Sequence, residues 1–443
     1  MKKILKRGLI HTLLIALAIL LIPVVKVNAK VNGSDEGEVK NVVQKYFDNE
    51  FESVKNGHAV NQDDVIGNKN LKALVNLKYE RKALWHSGLG NRLASYLNTI
   101  KYDSINLNGN ECIINLKKDI KFSFSKNPDI ISEEFDVEHI INLKKINNKW
   151  LIYSDIDKSN ENDIEPMDDT VSSPKKRNIN NIKSSINENN RKFSVNENKI
   201  KFSANENNIN EEIKFLQEDM NTLDEQIAKF KEFKKRVKEN KEIREENKEI
   251  PEEKNSNSGI ERRNFAGKRH FAGRRSATAS YKYNSNAAVS YALKYAYGKN
   301  SNYPDWIAKG TDCANFVSQC IYAGAPAMNL SKTWCVNRFV AGKAWINVND
   351  QWNFLVTNTG TGPVAIDNTR YLDICKGDVI NFWSRGDNRY SHTVIVTNLS
   401  DMGDIYFSGH TRERRNYSLD DAYASGAYIQ SKQRTAHIIG YNK

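Results

Sequence analysis

The chain has 443 residues, enough for two or three domains. Apolar residues make up 39% and charged residues 27%, a balance that builds cores in some stretches and excludes them from others. The net charge of +12 suits anionic surroundings such as nucleic acid, a membrane surface or an acidic cell wall, and a Lys/Asn/Ile-rich composition bias accounts for it equally well.

Lys2, Lys3, Lys6 and Arg7 precede an apolar run over residues 13–25, and Val27-Asn28-Ala29 has the small-residue pattern of a cleavage site. This order predicts a secretory signal peptide over residues 1–29, and hence a secreted, wall-associated protein with no nucleic-acid partner. The run falls short of the ~18 residues that a membrane span requires, and an uncleaved anchor is the alternative. No cysteine lies near the cleavage pattern to carry a lipid anchor. The cysteines are Cys112, Cys313, Cys320, Cys335 and Cys375, an odd set that leaves at least one free thiol. Cys313 and Cys320, seven residues apart on one predicted helix and so about 10 Å apart, are too distant for a disulfide. There is no C-x-x-C pair and no H-E-x-x-H, so neither a metal nor another cofactor is expected.

Residues 36–51 carry an amphipathic helical stripe of Val39, Val42, Val43, Tyr46 and Phe47. A second helical stretch is predicted over residues 70–97, broken near Gly88-Leu89-Gly90. Strands follow. Asn108-Gly109 is a hairpin turn between Ile105, Leu107 and the alternating Cys112, Ile114 and Leu116. Phe122 and Phe124 are read as starting another strand. Residues 137–146 and 149–153 form a last hairpin around Asn147-Asn148. Helices followed by a curved antiparallel sheet make residues 31–157 an α+β domain whose order resembles the cone-shaped fold of nuclear transport factor two. Trp85, His86 and Trp150 read as core or rim rather than pocket.

Residues 158–280 are expected to be a linker. Their first part is too poor in apolar side chains to fold. Within 209–237, Ile209, Ile213, Leu216, Met220, Leu223, Ile227, Phe230 and Val237 follow a heptad pattern. Three readings are open: a coiled coil making a homodimer, a helix folded back on a domain, or a solvated helix. A basic repeat around Phe265 and Phe271 then serves either as plain linker, as a processing site, or as a contact to anionic wall polymers.

From about residue 281 the composition turns globular, with a helix over residues 286–297. In the stretch from Gly310 to Cys320, Gly310 allows a turn, Asp312 is a good helix N-cap, and Cys313 opens the helix. The positive end of the helix dipole favours a thiolate there, and the thiolate is the nucleophile. The plain alternative is a core cysteine on the stripe of Phe316 and Val317. Trp345 and Trp352 read as core or groove walls. Residues 376–383 and 391–397 form an antiparallel hairpin, with His392 opening its second strand on the face of Val394 and Val396. A further strand ends at His410. A cysteine, a histidine and a polar orienting group in this order suit nucleophile, base and orienter.

Asp312-Cys313-Ala314-Asn315-Phe316-Val317-Ser318-Gln319, preceded by Tyr303-Pro304 and followed by Gly377-Asp378-Val379 and Ser391-His392-Thr393-Val394, resembles the bacterial "putative amidase domain" family, over about residues 281–443. That family is similar to papain-like cell-wall peptidases of the NlpC type and to CHAP amidases. The resemblance implies a papain-like α+β domain with Cys313 as nucleophile, His392 as general base and His410 as third member. Asn398 and Asp401 are nearer in sequence but past the strand end. The backbone N–H of Cys313 would serve the oxyanion hole, with Asp312 as cap and scaffold. The expected function is a secreted cysteine amidase or peptidase acting on peptidoglycan or a secreted peptide through a thioester. The rival is a non-catalytic wall-binding module. A zinc hydrolase using His392, His410 and a cysteine has no support from spacing.

Overall fold

The computed structural model describes residues 35–158, 209–249, 278–304, 312–337, 340–370 and 372–443. The predicted leader, the first part of the linker, the basic repeat and Gly310 lie outside them. Among the described residues no helix is long and apolar enough to cross a membrane. Those from Val42 to Lys443 belong to one compact unit.

Two helices come first, α1 (Asp35–Asn56) and α2 (Lys69–Gly88). The Asn68 side chain caps α2 by accepting from the N–H groups of Asn70 and Leu71. The helix ends earlier than its pattern suggests. Gly90 takes φ +67°, and by Leu93 the chain is a strand, so residues 93–97 are not helical. Long strands β1 (Leu93–Asn108) and β2 (Glu111–Phe124) pair across a turn at Gly109 with φ +58°. Cys112, Ile114 and Leu116 alternate into the core as expected. Phe122 and Phe124 end β2 instead of starting a new strand, because β2 runs on to pair with Leu93. Strands β3 (Ser132–Ile146) and β4 (Lys149–Asp157) turn on Asn147 and Asn148, both left-handed. Trp85, His86 and Trp150 are buried.

The heptad stretch folds back on its own chain. Ile209 and Leu216, in a helical stretch within 209–220, pack with Leu74. In α3 (Leu223–Glu249), Leu223, Ile227, Phe230 and Val237 join a core that contains Trp85, Phe124, Phe407 and Tyr423. A buried guanidinium holds the bend between the two helical pieces: Arg81 Nε donates to Asp219 at 2.6 Å, and Nη1 donates to the Tyr423 carbonyl at 2.8 Å. The stripe that could have paired two copies is therefore used within one.

The C-terminal region contributes helices α4 (Ser285–Tyr295), α5 (Cys313–Gly324) and α6 (Val348–Thr357). It also supplies strands β5 (Gly362–Asp367), β6 (Val379–Ser384), β7 (Arg389–Leu399), β8 (Ile405–Gly409) and β9 (Glu413–Ser418), a short helix α7 (Leu419–Ala424) and the last strand β10 (Arg434–Asn442). The ten strands of the described residues form one antiparallel sheet, in the order β1-β2-β3-β9-β8-β7-β6-β10-β5, with β4 also on β3. The overall class is α+β, as expected. The β3–β9 pairing makes the early and late strands continuous, and Arg414 pairs with Glu134 across it at 2.8 Å.

Alternation along β6 and β7 divides the core in two. Ile380, Phe382, Val394 and Val396 face α3 and Phe407. Val379 and Ile395 face the other way, toward Phe316, Val317 and Ile321 of α5 and toward Trp334, Trp345 and Trp352. That division decides which side chains can reach Cys313.

Candidate active site

Cys313 is the first residue of α5 and is 5% exposed. Its sulfur lies 4.0 Å from the Ser391 carbonyl oxygen on β7, and it packs with Ala314, Val348 and Tyr390. The helix is anchored by polar groups that its apolar stripe does not reveal. Asn315 accepts from Trp345 Nε1 at 2.9 Å, Gln319 accepts from the Tyr291 hydroxyl at 2.6 Å, and Ser318 donates to the Trp345 carbonyl at 2.8 Å. Gln351 donates to the Ala314 carbonyl at 2.8 Å, so α6 holds the first turn of α5 from behind. Asn315, Ser318 and Gln319 are signalled only as polar residues in an apolar helix. A buried polar group needs a partner, and these partners come from three other segments, around Tyr291, Trp345 and Gln351.

Asp312 stands at the N-cap position, and its carbonyl accepts from Phe316 N at 2.8 Å. Its carboxylate makes no capping hydrogen bond. One oxygen accepts from Asn315 Nδ2 at 2.7 Å and the other meets His410 Nδ1 at 2.5 Å. A buried charge-assisted partner outcompetes the backbone N–H groups that an Asp at this position usually serves. His410 follows β8, and its ring stacks on Phe316 with centroids 4.0 Å apart. Its other nitrogen, Nε2, lies 2.6 Å from the Tyr295 carbonyl oxygen. Both partners are acceptors, so both ring nitrogens donate and the ring is an imidazolium. Burial works against that charge, but the hydrogen bond and the charge of Asp312 outweigh it and hold the His410 pKa above its ordinary value. A small cleft opens at this end of α5, lined by Asp312, Asn315, Gln319, His410, Tyr295, Lys299, Asn300 and Pro304.

His392 sits on β7 opposite Phe382, on the face of Val394 and Val396 as the alternation predicts. That face is turned away from α5. The next residue, Thr393, is the one that reaches Gln351 and Asn381 on the helix side. The His392 ring lies beside the stacked pair of Phe382 and Tyr428, 6.0 and 6.2 Å from their centroids, and neither nitrogen has a hydrogen-bond partner among the described residues. Burial first, then the nearby Arg414 and Arg412, push its pKa down to about 3, so the ring is neutral. The fold thus brings His410 and Asp312 together at the end of α5 that Cys313 opens. His392 lies in the neighbouring core. Asn398 and Asp401 lie at and beyond the far end of β7, and Asp401 pairs with Lys241 of α3.

The region is α+β, with Cys313 opening a helix that packs on an antiparallel sheet beside the buried Asp312–His410 pair. Residues 282–438 match the model of the family described as "Putative amidase domain", whose description implies hydrolysis of amide bonds. Two proteins of Bacillus subtilis (strain 168) are similar over much the same length. The uncharacterized protein YjcM is 30% identical over 164 residues, 35% of this chain and 36% of that protein. The uncharacterized protein YhbB is 27% identical over 152 residues, 33% of this chain and 47% of that protein. The chain therefore spans less than half of either relative. No solved structure matches the chain.

Proposed function

We propose that the C-terminal region is a cysteine amidase that cleaves an amide of a wall peptide, outside the cell, through Cys313. The observation that carries this reading is the placement of Cys313 at the start of α5, within a turn of the Asp312–His410 ion pair. Helix dipole and imidazolium both favour a thiolate. The Cys313 thiolate attacks the amide carbonyl, and the backbone N–H at the helix start faces the developing oxyanion. The C–N bond breaks as His410 turns its Nε2 proton from the Tyr295 carbonyl to the leaving amine, while Nδ1 stays on Asp312. Water, deprotonated by the now neutral imidazole, attacks the thioester. The acid leaves and the thiolate returns. Asp312 keeps the imidazolium oriented through the cycle.

His410 is preferred over His392 as the acid–base group because it lies on the α5 side of the sheet. His392 can take that role only if β7 turns its ring through to the other face. A second reading, a wall-binding module without catalysis, is favoured by the neutral, partnerless His392.

The test uses the full chain with purified peptidoglycan and an iodoacetamide probe. Cys313→Ala is expected to abolish fragment release and remove the label from the α5 peptide. His410→Gln is expected to lower release by ~10²-fold or more, the usual contribution of general acid–base catalysis, while His392→Leu retains it. Release undiminished in Cys313→Ala would sink the amidase reading and leave the binding module.

A further inference from the structure

On the far side of the sheet's β6–β10 end, three ligating side chains meet that the catalytic reading does not use. Cys375 and Asp378 belong to the tight turn before β6, where Gly377 takes φ +90°. His437 comes from β10. One ligand atom from each lies within 4.8 Å of the others. His437 Nδ1 lies 2.9 and 3.1 Å from the two Asp378 oxygens, and the Asp378 carboxylate also accepts from Cys375 N at 2.8 Å. Asp378 is buried, while Cys375 and His437 are only partly so, which leaves a solvent-facing side to the group.

A fourth residue completes the set. Arg244 reaches over from α3, and its Nη1 lies 2.7 Å from Cys375 Sγ and 2.5 Å from Asp373 Oδ1. Nη2 donates to the Ile374 carbonyl at 3.0 Å. A guanidinium donating to sulfur is the kind of outer partner that stabilises a metal-bound thiolate.

We propose that Cys375, Asp378 and His437 form a site for a borderline-soft divalent ion of the zinc class, with Arg244 as its outer partner. The donor set is sulfur, imidazole nitrogen and carboxylate oxygen, which selects such an ion over magnesium or calcium. A tetrahedral ion with bonds of about 2.0–2.3 Å needs ligand atoms about 3.3–3.7 Å apart, so a shift of a few tenths of an ångström opens the Asp378–His437 contact to the ion. The fourth position would take water. The charges balance. The ion and Arg244 carry three positive charges, matching the Cys375 thiolate, Asp378 and Asp373, with His437 neutral. Because Arg244 lies on α3, a bound ion would tie that helix to the β6 turn.

Titrate the metal-free full chain with zinc chloride by calorimetry, and with cobalt chloride by absorption. One ion per chain and a thiolate-to-cobalt charge-transfer band are expected. Cys375→Ser should abolish the band while Cys313→Ser keeps it, and Arg244→Met should weaken zinc binding by about 10–100-fold. A mutation-free readout guards against misfolded variants: zinc at ten times its dissociation constant should slow alkylation of Cys375 about tenfold and leave Cys335 unaffected. Equal alkylation of Cys375 with and without zinc, or a cobalt band that survives Cys375→Ser, overturns the proposal.

Discussion

His410 and Asp312 form a buried ion pair, Nδ1 to Oδ2 at 2.5 Å, that joins the end of β8 to the residue before Cys313. Both side chains are almost fully enclosed. Removing one member leaves the other charged and unpaired, a loss of about 3–5 kcal/mol for a buried pair. Asp312→Asn is expected to lower the thermal midpoint accordingly, read by calorimetry. Its effect on Cys313 alkylation should exceed that of a stability loss alone, because the imidazolium is no longer oriented.

The same pair sets a pH dependence on the alkaline side. The folded pKa of His410 lies above the unfolded value of about 6.5. The folded state therefore holds a proton that the unfolded state has lost. The pair's contribution is complete below about pH 6.5 and fades as pH rises through the raised folded pKa. The wild-type midpoint should fall across that window, and in His410→Gln this part of the slope should vanish.

His392 predicts the opposite slope. Its folded pKa is about 3, well below the unfolded value, so the unfolded chain takes up a proton that the folded chain refuses. Stability should decline as pH falls from about 6.5 toward 3. A buried ring with two unsatisfied nitrogens costs about 1–3 kcal/mol, so His392→Leu should be neutral or stabilising, and its acid slope shallower. A large loss of amidase activity in a well-folded His392→Leu would return the base role to His392.

Glu134 is fully buried against Arg414 and Arg412 where β3 meets β9. Burial works to raise its pKa, but the two guanidinium groups prevail and hold it below the ordinary carboxylate value. This contribution is present above the unfolded pKa of about 4.3 and is lost as pH falls through the depressed folded value. Glu134→Gln should destabilise at neutral pH by about 3–5 kcal/mol and remove that acid transition, followed by fluorescence.

Phe230 tests the use of the heptad stripe. It is fully buried against Trp85, Phe233 and Tyr423. Phe230→Ala should cost about 3–5 kcal/mol. A wild-type midpoint that does not move with protein concentration would accord with a stripe satisfied within one chain; a concentration-dependent midpoint would show that copies also pair.

Local pattern carried much of this protein. The alternation of Cys112, Ile114 and Leu116, the turns at Gly109 and Asn147-Asn148, the helix that Cys313 opens and the β6–β7 hairpin are set by neighbours in the chain, and they read directly from it. Alternation even placed His392 correctly with Val394 and Val396. What it cannot say is which face of the sheet α5 covers. That choice depends on Phe316, Val317, Trp334 and Trp345 packing against Ile395, contacts between segments far apart in sequence. The same holds for the carboxylate of Asp312. A capping hydrogen bond is the local expectation, but the Asp312 carboxylate makes none, because His410 reaches it from 98 residues away. The heptad stripe likewise specified a helix with one buried side. Whether a second copy or the chain's own core covers that side was decided by the shape that Trp85, Phe407 and Tyr423 present to Phe230. Periodicity measures how apolar a face is, and only the folded chain determines what lies against it.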